Sequence, residues 1–276
     1  MRWITARRRH PVTGYAIVLL MLVAIGMAYA AITGAGGSAS ASAPPAGQQQ
    51  IAQGQEIFAK NCSSCHGLEA QGTPVAPSLI GVGAAAVDFQ VSTGRMPAAQ
   101  PGPENPRKPV AVPFTGPAGE QRIHAVAAYI ASLAGGPAIP SAEQVSSSGG
   151  NVAVGQELFI ANCAQCHNFV GAGGALTYGK YAPALTESTP TQLYEAMLTG
   201  PEAMPVFGDA TLTPQSKRDI IAYVTEKRSE PNPGGFSLGR IGPVTEGLVA
   251  FLGLLFFMVL AALWITAKHG KTEAHE

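Results

Sequence analysis

Charge is scarce in this chain. Only 12% of its 276 residues are charged, about half the roughly 25% usual for soluble globular proteins. Neither sign is in excess: Lys plus Arg number 17, and Asp plus Glu number 17. A protein built to grip nucleic acid would carry a basic surplus, so that class is set aside. Four cysteines are too few for a disulfide-stapled scaffold of this size. Sustained alternation of polar and apolar residues is also missing, which argues against a sheet protein. What is plentiful is apolar residues, 46%, with 33 Gly and 22 Pro. That much apolar content excludes wholesale disorder. The low charge must come from membrane segments, from Pro/Gly-rich stretches, or from both. Length alone allows about two domains.

Two uncharged runs account for part of it. Arg7, Arg8, Arg9 and His10 precede an apolar run from Val12 to about Thr33. It is long enough to cross a bilayer as a helix. It also has the parts of a cleaved signal peptide, with Ala28-Tyr29-Ala30 as an A-x-A site; its length exceeds the usual apolar core of such signals and favours an uncleaved anchor. The second run, Gly247–Ala267, has no charge and is followed by Lys268, His269 and Lys271. It predicts a transmembrane helix. Basic residues outside both runs place both termini in the cytoplasm and the residues between them on the far, oxidising side of the membrane. Neither run contains an ionisable residue, so no intramembrane proton relay or quinone site is expected in either.

The middle of the chain contains one sequence twice. Gly54-Gln55-Glu56-Ile57-Phe58-Ala59-Lys60-Asn61-Cys62-Ser63-Ser64-Cys65-His66 returns, 101 residues on, as Gly155-Gln156-Glu157-Leu158-Phe159-Ile160-Ala161-Asn162-Cys163-Ala164-Gln165-Cys166-His167. A period of this length is a duplicated domain, since solenoid units repeat every 20–50 residues or so. Later echoes agree: Ala76-Pro77-Ser78-Leu79 with Ala182-Pro183-Ala184-Leu185, Met96-Pro97 with Met204-Pro205, and Ala128-Tyr129-Ile130 with Ala222-Tyr223-Val224. Apolar residues at helical spacing precede each Cys motif and recur in a last amphipathic helix, which Thr213-Pro214 starts in the second copy. The reading is all-α, with two small helical domains at 50–134 and 151–229. Residues 1–33 are the N-terminal membrane segment, 34–49, 135–150 and 230–246 are linkers, 247–267 is the second membrane helix, and 268–276 is a cytoplasmic tail. Each copy also has its own insertion: a Pro-rich one after Met96, and one between His167 and Pro183. Both are expected to be plain surface insertions, with loops that meet special partners as the alternative.

The cysteines carry the chemistry. All four lie in two C-x-x-C-H motifs, Cys62/Cys65/His66 and Cys163/Cys166/His167, the attachment signal for c-type haem. Two thiols one helical turn apart can add to the two haem vinyl groups, and the next residue, His, then faces the iron. Thioredoxin-like, zinc and disulfide readings fit less well: the βαβ context is missing, the pairs are far apart, and the histidines would go unexplained. For the sixth iron ligand, His124 is the only exported histidine outside a motif, and it aligns with Arg218 in the other copy. It is expected to be an ordinary surface or core residue. Met96 and Met204 stand at matching places, 30 and 37 residues past their histidines, each before a proline that stops a helix. Met197 sits at helical spacing with Leu193 and reads as core. His/Met ligation raises a haem potential and leaves no open iron site, so these haems are electron carriers. Arg95, next to Met96, is a candidate neighbour of a propionate, though the sequence ties neither it nor Lys60 to one.

In C-x-x-C-H, A-P-x-L, M-P and the last A-Y-[IV] helix, each copy resembles a class I cytochrome c domain. The whole order resembles the dihaem cytochrome cc subunit of the actinobacterial menaquinol–cytochrome c reductase, the cytochrome bcc complex. The resemblance implies two covalently bound haem c groups: one held by Cys62, Cys65, His66 and Met96, the other by Cys163, Cys166, His167 and Met204. It implies a cytochrome b subunit and a Rieske iron–sulfur subunit as partners, and electron delivery from the second domain to a haem–copper cytochrome c oxidase. The alternative is a dihaem subunit of a cbb-type oxidase or of a membrane-bound dehydrogenase, expected to lack a helix like 247–267. A dihaem enzyme with its own substrate would need an open iron site, against which the matched Met96 and Met204 speak.

Overall fold

The computed structural model describes residues 11–35, 47–102, 104–230, 238 and 243–272. Arg7–Arg9, His10, most of the tether at 34–49, most of 230–246 and the end of the tail lie outside the described residues. Two units divide at Pro45/Ala46. The first contains helix α1, Pro11–Ala35, with an apolar stretch from Gly14 to Ala28.

In the second unit the two sequence copies build the same set of helices. The first copy forms α2 (Gln48–Asn61), α3 (Ser63–His66), α4 (Gly83–Ser92) and α5 (Gly119–Leu133). A single turn, α6 (Ala142–Val145), precedes the second copy. That copy forms α7 (Val152–Asn162), α8 (Ala164–His167), α9 (Pro190–Thr199) and α10 (Pro214–Ser229). Thr213 caps α10 by accepting the Ser216 N–H, with Pro214 in the first turn, as its sequence implies. The all-α expectation needs one amendment. A two-residue antiparallel pair, β1 (Gly174–Ala175) and β2 (Tyr181–Ala182), sets Gly174 opposite Ala182. The copies stay in step at an offset of 101 through Gly72/Gly173 and have slipped to 106 by Leu79/Leu185. The five extra residues of the second insertion therefore form the tip of this hairpin.

Each copy is held by the crossing of its first and last long helices, α2 with α5 and α7 with α10. Glycine makes the crossing possible. A Cβ on Gly54 would lie 1.9 Å from the Ala125 carbonyl oxygen, and one on Gly155 would lie 1.9 Å from that of Asp219. One turn on, Phe58 packs on Tyr129 with ring centroids 5.4 Å apart and planes at 51°. Phe159 packs on Tyr223 at 5.3 Å and 48°. Duplication has preserved even the tilt of this aromatic contact. Behind it, Lys217 in α10 is fully buried; its ammonium donates to Asp209 Oδ1 and to the Leu212 carbonyl, both at 2.7 Å, and faces the Tyr194 ring. It pins the 208–213 loop, which follows Met204 in the chain, to α10. Replacing Lys217 with alanine removes both bonds and opens a cavity, so the second domain should lose about 2–4 kcal/mol. A urea titration of the holoprotein checks this.

The two copies meet through equivalent helices. Helix α4 packs against α9, where Gln192 Nε2 donates to Ser92 Oγ at 3.2 Å. Asp88 and Glu195 face each other there, and both are buried. No donor reaches either Glu195 oxygen, and two bare carboxylates cannot share a dry interface. Burial and the neighbouring Asp88 push Glu195 up to about 10, so it holds a proton at neutral pH, while His124 lies 3.6 Å from the other side of Asp88. The pKa is raised on folding. The stability it contributes is therefore complete below the ordinary carboxyl value of 4.5 and declines as pH rises toward 10. Glu195→Gln should flatten that decline between pH 5 and 9. Unfolding midpoints across the range would show it, and an unchanged slope would contradict the protonated pair.

The C-terminal helix α11 runs Pro243–Thr272. Its membrane-length segment, Val244–Ala267, has 24 residues and a mean hydropathy of 2.8, and none of it is buried by the rest of the chain. At 1.5 Å per residue it is about 36 Å long, enough for a hydrocarbon core of about 30 Å. The sequence expectation of 247–267 lies inside it.

Candidate haem site

Each C-x-x-C-H segment is a helix end followed at once by one new turn. The Cys62 N–H donates to the Phe58 carbonyl and the Cys163 N–H to that of Phe159, both at 2.8 Å. The next turn returns His66 N–H to Cys62 O at 3.0 Å and His167 N–H to Cys163 O at 2.9 Å. The chain then reverses through a left-handed residue, Gly67 (φ +82°) in the first copy and Asn168 (φ +63°) in the second. Asparagine tolerates that conformation better than other side chains. Here its amide also donates to the Gly173 carbonyl.

Both histidines are buried and held by one contact each. His66 Nδ1 lies 2.8 Å from the Pro77 carbonyl and His167 Nδ1 lies 2.9 Å from that of Pro183. A carbonyl can only accept, so the proton sits on Nδ1 and Nε2 keeps its lone pair. This is how a metal-binding histidine is oriented. Burial lowers the pKa of His167 despite the Pro183 bond, so the neutral form needed for ligation dominates. Proline supplies both carbonyls, and Pro77 and Pro183 are the prolines of the repeated A-P-x-L. The sequence showed that motif twice without showing its task. The repeat itself was the available signal.

The second copy encloses a cavity of about 430 Å³. Cys163, Cys166, His167 and Met204 all line it, with apolar walls that include Leu185 and Phe207. Cys163 is partly buried and Cys166 exposed. Burial, reinforced by the paired cysteine, pushes the Cys163 thiol up to about 12 and the equivalent Cys62 up to about 11. Both are neutral thiols, and all four cysteines are free of disulfides. In the first copy Cys62, Leu79 and Met96 pack against one core with Phe58 and Tyr129. This donor set fits haem c: paired thiols at one end, a neutral imidazole with a free Nε2, a thioether, and dry walls. Met197 is buried in the second core and touches the same cavity. His124 is on neither site; it stands beside Asp88.

One wall of the second cavity comes from the first copy, which sequence reasoning did not foresee. Phe89, Arg95, Glu104, Asn105, Pro106 and Arg107 line it. The Pro-rich insertion is thus more than a surface loop. Both Glu202 oxygens accept the Asn105 N–H at 2.9 Å, Glu104 accepts the Tyr181 N–H at 3.4 Å, and Arg107 donates to Gln192 at 3.3 Å. A larger, more open space of about 870 Å³ lies between this insertion and the β1–β2 hairpin, without any of the cysteines.

Two helical domains, each with a C-x-x-C-H turn and a histidine locked by a proline carbonyl, together with a C-terminal apolar helix, define a membrane-anchored protein with two cytochrome c domains. Residues 51–134 match the family model for cytochrome c, and residues 150–224 match that for the cbb3-type cytochrome c oxidase subunit III. The chain is 46% identical over 222 residues to the cytochrome bc1 complex cytochrome c subunit of Mycobacterium leprae, covering 78% of this chain and 74% of that one. It is 42% identical over 236 residues to the subunit of the same name from Corynebacterium diphtheriae, covering 80% and 82%. For the Mycobacterium tuberculosis subunit the identity is 40% over 269 residues, covering 95% and 93%. The chain belongs to the family of cytochrome bc1 complex cytochrome c subunits. The oxidase-type match concerns one domain, whereas these relatives align over most of the chain.

Proposed function

We propose that this chain is the dihaem electron-relay subunit of a quinol–cytochrome c reductase in a bacterial plasma membrane. One haem c would be held by Cys62 and Cys65, with His66 and Met96 supplying the ligands to its iron. The other would be held by Cys163 and Cys166, with His167 and Met204. The observation that carries the reading is the second cavity, where the paired thiols, an imidazole with its Nε2 free and a thioether converge. When bound, haem c supplies a one-electron Fe(III)/Fe(II) couple. The chain's own task is to hold it dry, supply two ligands and leave no position for a substrate.

The haem domains, 50–134 and 151–229, stand on the outer side, anchored by α11 and by α1 as a second membrane helix, with both termini cytoplasmic. The partners are a cytochrome b subunit and a Rieske iron–sulfur subunit, as the complex named by the relatives implies. The first domain receives electrons from the Rieske subunit and the second delivers them to a haem–copper cytochrome c oxidase. Intact-mass measurement of the membrane-purified chain should show two covalent haems. Changing both Cys163 and Cys166 to alanine should leave one. A wild-type chain without covalent haem would contradict the reading.

A further inference from the structure

The geometry points to Arg95, a first-domain residue, as an anchor for a propionate of the second haem, with Arg107 beside it. The inference rests on the reading that Cys163 and Cys166 hold that haem. Three observations carry it. Arg95 lines the second cavity. It is only 7% exposed, and among the described residues nothing accepts a hydrogen bond from its guanidinium. The guanidinium lies over the face of Phe89, 4.9 Å from the ring centre. A largely desolvated guanidinium without a protein acceptor is costly. An anion lodged in the cavity removes that cost through a charge-assisted, bidentate contact. Haem brings two such anions, at the edge of the ring away from its vinyl groups.

Acidic neighbours do not take this role. Glu202 attracts Arg95 from a distance, but no hydrogen bond joins them, and the contact its two oxygens make is with the Asn105 N–H. Glu104 faces the Tyr181 N–H. Arg107 adds a second positive charge at the same wall, partly engaged by Gln192 and 4.0 Å from Glu187.

The consequence reaches across the domain boundary. Arg95 and Met96 are consecutive, so one short segment would serve the second haem with one residue and ligate the first with the next. The second haem's environment then depends on the first domain being docked. The sequence offered Arg95 as a propionate neighbour; the structure moves that neighbourhood to the other haem.

The test is a spectrally resolved redox titration of the purified holoprotein carrying Arg95→Met, with Arg95→Lys alongside. Methionine keeps the bulk of the stem and removes the charge and the donors; lysine returns the charge. The Fe(III)/Fe(II) ratio of the second haem at fixed potential should rise about tenfold in Arg95→Met, equivalent to a fall of about 59 mV for a one-electron couple. Arg95→Lys should recover most of it, and the first haem should move less. Either of two results overturns the assignment: an unmoved second haem, or a shift confined to the first. If Arg95→Met does not accumulate, Arg107→Gln, at a half-exposed residue, should still lower the second potential, and no change there counts against the anchor. Intact mass separates the two levels: a chain with no haem on Cys163 and Cys166 refutes the haem reading itself, not merely the anchor.

Discussion

Alanine at Met204 is expected to lower the midpoint potential of one haem by tenths of a volt and leave the other nearly unchanged. The size follows from chemistry: axial ligands tune haem potentials over about 0.8 V across proteins, and a thioether sits at the high end by favouring Fe(II). The selectivity follows from structure. Met204 lines only the second cavity, whereas Met96 packs with the first core. The 208–213 loop that follows Met204 in the chain is fastened separately by Lys217, so the alanine variant should stay folded and keep both covalent haems. Redox titration with visible spectra reads the result. The absorption band of the iron–thioether bond should be halved in intensity. An unchanged potential would move the ligand to Met197, which touches the same cavity. Met197→Ala in the otherwise native chain separates the two, because a core residue lowers stability without moving the potential by so much.

Valine at Gly155 should unfold the second domain or cost it at least about 3 kcal/mol, the upper end of what overpacking usually costs. Its Cβ would meet the Asp219 carbonyl oxygen at 1.9 Å and the carbonyl carbon at 2.5 Å. Backbone cannot swing aside as a long side chain can, so α7 and α10 must separate. Separation breaks the Phe159–Tyr223 contact and spoils the position of Cys163, one residue beyond the end of α7. The better helix propensity of valine over glycine offsets only a few tenths of a kcal/mol. Covalent haem on Cys163 and Cys166 should fall with stability, while the first haem stays. Gly208→Ala, where an added Cβ meets nothing within 4 Å, should be close to neutral. Equal losses for the two variants would remove the helix-crossing account.

Much of this was legible because the chain says it twice. A period of 101 residues showed two domains, and the matched echoes separated shared architecture from insertion. The C-x-x-C-H motif located a site by covalent chemistry alone, and the uncharged run near the C-terminus announced α11. Less legible were features made by contact rather than pattern. The A-P-x-L motif was visible, but not that its proline carbonyl fixes the histidine tautomer, since a backbone acceptor leaves no trace in residue type. Gly54 and Gly155 are visible as repeated residues, but not that each lets two helices cross. Tyr129 and Tyr223, visible only as repeated residues of the last helix, seal the crossings against Phe58 and Phe159, with the Tyr223 hydroxyl donating to the Phe169 carbonyl at 2.8 Å. The Pro-rich insertion gave no periodicity to read, yet it walls the other domain's cavity. Nothing local marks Asp88 and Glu195 as a pair, because they are 107 positions apart and meet only when the domains dock.

The central claim, a two-haem relay within a quinol reductase, is tested most directly by purifying the tagged chain from its native membranes in mild detergent and measuring the haem types and proteins that come with it. The account predicts two covalent haems c on this chain, together with b-type haem, a Rieske iron–sulfur protein and haem–copper oxidase subunits. A product containing c-type haem and a dehydrogenase, with no b-type haem and no Rieske protein, would contradict it.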